Sequence, residues 1–92
     1  MPAEILDFPP LRRTTCHELH APDGRWWCAS TYLWPDDLAK LRPGRDYTPG
    51  ELVRLYGLPT YNGRPGLPLR EGEELPATVR YVVINLVTGE RA

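Results

Sequence analysis

The four residues that most constrain this chain are Ala21-Pro22-Asp23-Gly24, set between two runs of strand-forming residues. Proline presets φ for the first corner of a turn, aspartate suits the second, and glycine takes the left-handed conformation that closes it. That order specifies a β-hairpin with a type I turn and a glycine bulge rather than a two-residue Asp-Gly turn. The distinction fixes register, because a slip of one residue turns every side chain to the opposite face.

In the bulged register His20 stands opposite Trp26, Glu18 opposite Cys28, and Cys16 opposite Ser30. One face then carries Cys16, Glu18, His20, Trp26, Cys28, Tyr32 and Trp34. The other carries His17, Leu19, Trp27, Ala29, Thr31 and Leu33. The hairpin spans about residues 14–34 in this reading and holds both cysteines, both histidines and all three tryptophans of the chain. Its second strand is apolar on both faces and reads as a central strand, while the half-polar first strand reads as an edge.

A further strand is predicted over residues 77–87, ATVRYVVINLV, where β-branched residues dominate and the last half is apolar on both faces apart from Asn85. It is expected beside the second hairpin strand. Two short helices are expected between these elements. Pro35-Asp36-Asp37 places proline and two acids in a first turn, with Leu38 and Leu41 on one side. Thr48-Pro49-Gly50-Glu51 has the form of a capping box, followed by Leu52, Val53, Leu55 and Tyr56 and ended by Gly57.

The fold class that follows is α+β. A small antiparallel sheet of three to four strands is built around a central hairpin (14–34) and a C-terminal strand (77–87), with two short helices. Ninety-two residues suffice for one domain. Residues 1–12, with a strand in AEILDF and a break at Pro9-Pro10, read as an extended arm. Residues 58–76 read as a long Gly/Pro-rich loop of the length that is often functional, and 88–92 as a polar tail.

Composition narrows the function classes. The net charge is −1, which supplies no basic excess for duplex DNA or an anionic membrane. No apolar run is long enough to span a bilayer. The opening residues lack the basic end and apolar stretch of a secretory signal, so the cysteines are expected to be reduced thiols in a cytoplasmic setting. One lysine against ten arginines, with no glutamine, hints at a GC-rich bacterial or phage genome. For a phage protein, the host cytoplasm or a virion is the equivalent location.

Cys16, His17, His20 and Cys28 are the metal suspects. Cys16 and His20 are four residues apart on one strand, about 13 Å at ~3.3 Å per residue, too far to share an ion. No cofactor is therefore expected. A Cys16–Cys28 disulfide is a diagonal pairing near the upper limit of reach. Cys28, His20 and Glu18 share a face, so the ingredients of a thiol nucleophile lie near one another. No helix N-terminus is expected beside Cys28 to lower its pKa.

The aromatic residues carry the preferred reading. Trp26 and Trp27 are consecutive on a strand and must point to opposite faces, so one serves the core and the other needs a cover. Trp26, Tyr61, Arg64 and Arg70 are the residue types favoured as anchors at interfaces. We expect a non-catalytic protein-binding or assembly module, its partner another protein or a second copy of itself. The alternatives are a single-stranded nucleic-acid binder, disfavoured because acids outnumber bases, and a cysteine- or zinc-dependent protein using Cys16, His20 and Cys28.

Overall fold

The computed structural model describes residues 14–92. The arm expected over residues 1–12, with its strand, lies outside the described residues.

In chain order the elements are β1 (Thr15–His20), β2 (Trp26–Cys28), α1 (Ala29–Tyr32), α2 (Pro35–Leu38), β3 (Asp46–Tyr47), α3 (Pro49–Tyr56), β4 (Thr60–Tyr61), β5 (Arg64–Pro65) and β6 (Val79–Asn85). The described residues form a four-stranded antiparallel sheet of order β2-β1-β6-β3, and β4 and β5 form a separate two-stranded hairpin. The fold is α+β, with three short helices among the described residues.

The turn follows the local chemistry. The Gly24 N–H bonds the Ala21 carbonyl at 3.1 Å, and the Ala21 N–H bonds the Arg25 carbonyl at 2.8 Å. Gly24 sits at φ 97°, the left-handed closure that the bulge needs. The register is the bulged one: His20 pairs with Trp26, Leu19 with Trp27, and Glu18 with Cys28.

The pairing stops there, and Cys16 faces Ile84 of β6 instead of Ser30. The chain leaves the sheet at Cys28 and turns into α1, whose Leu33 N–H bonds the Ala29 carbonyl at 3.0 Å. Ala29 and Leu33 are both buried. Residues four apart share a side in a strand and in a helix alike, so the apolar pattern of 25–34 fits both. Tyr32 and Trp34 consequently do not continue the strand face.

Two placements in the sheet differ from expectation. β1 is central, flanked by β2 and β6, and β2 is the edge; β6 pairs with β1 over six residue pairs and has no pairing with β2. Side-chain polarity reports what covers a strand's two faces and carries no information about its neighbours along the ladder. β1 is half polar because its outward residues, Cys16, Glu18 and His20, are only partly buried while Leu19 faces the core.

The covered face holds the core. Leu19, Trp27, Val79 and Tyr81 from the sheet meet Leu33, Leu38, Leu41, Leu52, Leu58 and Leu67 from the helices and connections. Tyr47, 2% exposed, sets its ring edge-on to Tyr56 with centroids 5.7 Å apart, and its hydroxyl accepts the Arg42 N–H at 2.8 Å. That bond secures the turn between α2 and β3. Leu38 and Leu41 are both buried, as their spacing requires.

α3 begins with the complete capping box: the Glu51 N–H bonds the Thr48 hydroxyl at 3.1 Å and the Thr48 N–H bonds the Glu51 carboxylate at 2.8 Å. Gly57 ends it in the left-handed conformation at φ 77°. Residues 58–76 contain the β4–β5 hairpin, turned by Asn62 and Gly63, both at positive φ. The tail also has structure: the Ala92 N–H and carbonyl bond Val83 at 2.9 and 3.2 Å, and the Asn85 N–H bonds the Glu90 carbonyl at 2.8 Å. No helix among the described residues is long and apolar enough to cross a membrane.

The Thr48 N–H, above all, holds the Glu51 carboxyl below its ordinary pKa. A carboxyl lowered by folding stabilises the fold above its unfolded pKa, and that support fades as pH falls through the folded value. Thr48→Ala is expected to lower stability by about 1 kcal/mol at neutral pH, read as a lower urea midpoint with unchanged slope. The deficit should change little on acidification, because the Thr48 N–H that lowers Glu51 is kept, whereas Glu51→Gln should remove the acid dependence of stability at this cap.

Candidate functional site

Strand alternation separates the two tryptophans. Trp27 turns inward and is 8% exposed, and its indole N–H donates to the Pro68 carbonyl at 2.9 Å. The Arg25 guanidinium lies 5.6 Å from the centre of the Trp27 ring. Trp26 turns outward and is 57% exposed, its ring stacked with His20 at 6.4 Å. Of the two consecutive tryptophans, Trp26 is therefore the exposed one.

The outward face of the sheet carries Cys16, Glu18 and His20 from β1, Trp26 and Cys28 from β2, and Val82 and Ile84 from β6. Glu18 organises its polar part. One carboxylate oxygen accepts the Cys16 thiol at 3.3 Å and the other meets His20 Nε2 at 2.7 Å. The bulged register puts these groups on one side, but their bonds run to Glu18 rather than to a common centre. Among the described residues no three His, Cys, Asp or Glu side chains converge as metal ligands.

Cys28 shares that face but bonds elsewhere. Its sulfur lies 3.1 Å from the Ser30 hydroxyl, and no hydrogen bond joins it to His20. No disulfide joins Cys16 to Cys28. The Ser30 and Thr31 side chains hold the Cys28 thiol below its ordinary pKa, Ser30 contributing most. Both groups come from α1, a segment whose apolar pattern predicts strand.

Of the four anchor candidates, the structure brings together two pairs. Tyr61 and Arg64 are cross-strand partners on the β4–β5 hairpin, with Tyr61 67% exposed. Gly66 underlies this hairpin: a side chain there would lie 2.7 Å from the Pro59 carbonyl and 2.8 Å from the Tyr61 ring. Trp26 and Arg70 line a different place, an open cleft of ≈ 460 Å³ between Gly24, Arg25, Trp26 and Trp27 on one side and Pro68, Leu69, Arg70 and Glu73 on the other. Tyr61 and Arg64 do not line that cleft.

The two cleft arginines differ. Arg25 is occupied: Asp23 takes two of its side-chain nitrogens at 2.8 Å each, and the Glu74 carbonyl takes a third bond at 2.9 Å. Arg70 is held through its main chain, its N–H on the Glu73 carboxylate at 2.7 Å and its carbonyl on the Glu73 N–H at 3.0 Å. The exposed Arg70 guanidinium makes no ion pair among the described residues.

Three exposed apolar residues were not singled out from the sequence. Trp34 is 73% exposed, Leu86 52% and Val87 78%. The strand period could not flag Trp34 because the chain is helical just before it. Leu86 and Val87 follow the last strand residue and looked like its continuation.

Fold and site together define a small α+β domain in which the edge strand β2 is bordered by a cleft. No family model, curated protein or solved structure matches this chain.

Alkylation of the thiols, followed by peptide mass mapping across pH, tests the Cys28 environment. Cys28 is expected to react with a midpoint below that of an ordinary cysteine, and Ser30→Ala should move the midpoint upward. An unchanged midpoint in Ser30→Ala would remove Ser30 as the cause. Separately, Gly66→Ala should displace Tyr61, seen as a change in the ring's NMR shifts, because the Pro59 carbonyl is main chain and cannot rotate away.

Proposed function

We propose that this chain is a non-catalytic protein-binding or assembly module that acts through an aromatic and arginine surface. The observation that carries the reading is the exposed Trp26 on an edge strand, beside a cleft whose rim holds Arg70, which makes no ion pair among the described residues. Tryptophan and arginine are the residues most enriched among the few that dominate binding energy at interfaces. Tyr61 and Arg64 present a second aromatic–arginine pair on a neighbouring segment of the chain.

The polar groups point the same way. Glu18 is spent on Cys16 and His20, and Cys28 on Ser30. A thiol nucleophile needs its base in hydrogen-bond reach, and here the base is engaged elsewhere. The low lysine and high arginine content fits a bacterial or phage source, with the partner in the same cytoplasm or particle.

The test uses a displayed library of random peptides selected on the folded protein, with sedimentation of the protein alone over a concentration range. Peptide binding or self-association is expected, weakened at least about tenfold by Trp26→Ala and by Tyr61→Ala, with urea midpoints near that of the parent because both rings are exposed. Failure to select any binder without self-association, or association untouched by both substitutions, would refute the reading.

A further inference from the structure

The free edge of β2 is not bare: it opens into the cleft. The Ala21–Arg25 hydrogen bond marks a bonded pair of the ladder. Bonded and non-bonded pairs alternate along an antiparallel ladder, so Leu19–Trp27 is bonded and His20–Trp26 and Glu18–Cys28 are not. The Trp26 N–H and carbonyl and the Cys28 N–H therefore point away from β1. They point to the side of the sheet on which no strand lies among the described residues.

Across that edge stand residues 68–70 and Glu73. The Trp27–Pro68 bond ties this far wall to the strand and sets its separation. The Arg70–Glu73 pair of bonds stiffens it further along. Between the two walls lies the open cleft of ≈ 460 Å³.

We infer that the cleft takes an extended peptide segment of another protein as an added strand on β2, with a carboxylate of that segment held by Arg70. This deepens, and rests on, the binding-module reading. The main-chain match comes from Trp26, which would exchange two hydrogen bonds with one peptide residue. The neighbouring peptide side chains alternate between the exposed Trp26 ring and the cleft, as in other cases of strand addition.

Charge selects the occupant. The lining holds two arginines and one glutamate; Arg25 is already satisfied by Asp23 and Glu74, which leaves Arg70 as the unpaired charge. The exposed Glu71 and Glu74 stand beside the far wall. They repel a run of acids, so the segment that fits has a single carboxylate among uncharged residues.

The experiment takes the tightest peptide from the random library, together with versions N-methylated at successive positions, and follows amide exchange in the full chain by NMR. Binding should slow exchange at the Trp26 and Cys28 amides. Methylation at the residue facing Trp26 should weaken binding about tenfold, and Arg70→Glu should do the same. An Arg70-insensitive peptide, or one tolerant of every N-methyl group, overturns strand addition while its loss in Trp26→Ala keeps the binding-module reading. Protection of the same amides on concentrating the protein alone assigns the edge to a second copy and also overturns the proposal. If the library yields no binder, both readings fall.

Discussion

The ladder between β1 and β6 is the constraint on which the other elements depend. It joins Thr15 to Asn85 and His20 to Arg80, segments separated by most of the described chain. A hairpin of six and three residues is not stable alone in water. β6 supplies the third strand and brings Val79 and Tyr81 beside Leu19, which makes the apolar layer that the helices cover. Closing so long a loop costs entropy that grows only slowly with length, so the insertion of α1, α2, α3 and the β4–β5 hairpin between the paired strands is tolerated. On the same face the Tyr81 hydroxyl bonds His17 Nδ1, and the two rings stack at 5.9 Å.

Trp27 extends that order to the connection after β5. Its ring is packed in the core while its indole N–H reaches the Pro68 carbonyl, so one side chain satisfies both an apolar layer and a main-chain acceptor. The outward neighbour, Trp26, is exposed as a direct result: a strand cannot turn two successive rings to one side. The cleft is thus a by-product of how Trp27 is buried. Its near wall is the strand that carries Trp27, and its far wall is the segment that Trp27 holds.

Much of this was legible in short-range chemistry. Pro22-Asp23-Gly24 determined the bulged register, and Thr48 with Glu51 and Gly57 determined both ends of α3, because each of these features is settled by bonds to residues within a few positions. The order of strands was not legible, since β1 owes its place to pairing with residues 60 to 70 positions on. The exit of the chain into α1 was hidden by Ala29 and Leu33, whose spacing satisfies two periodicities. Asn62-Gly63 is a strong hairpin signal, but its flanking strands are only two residues each and show no alternation that would frame it. Of the site, the four anchor residues could be named by type. Their division into a hairpin pair and a cleft pair depends on the path of residues 58–76, which no local rule encodes.

The far side of the sheet gives the free edge of β2 a further meaning. Beyond β6 the ladder ends in two short pieces, one at residues 44–47 and one at 90–92, which approach each other where a Cβ on Gly44 would lie 3.8 Å from the Ala92 main chain. Neither piece is long enough to template another strand, and short interrupted edges resist pairing. Among the described residues the two sides of the sheet are therefore unlike: β2 turns the main-chain groups of Trp26 outward along one side, while on the other the short pieces at 44–47 and 90–92 break up the border of β6 and discourage edge-to-edge pairing there.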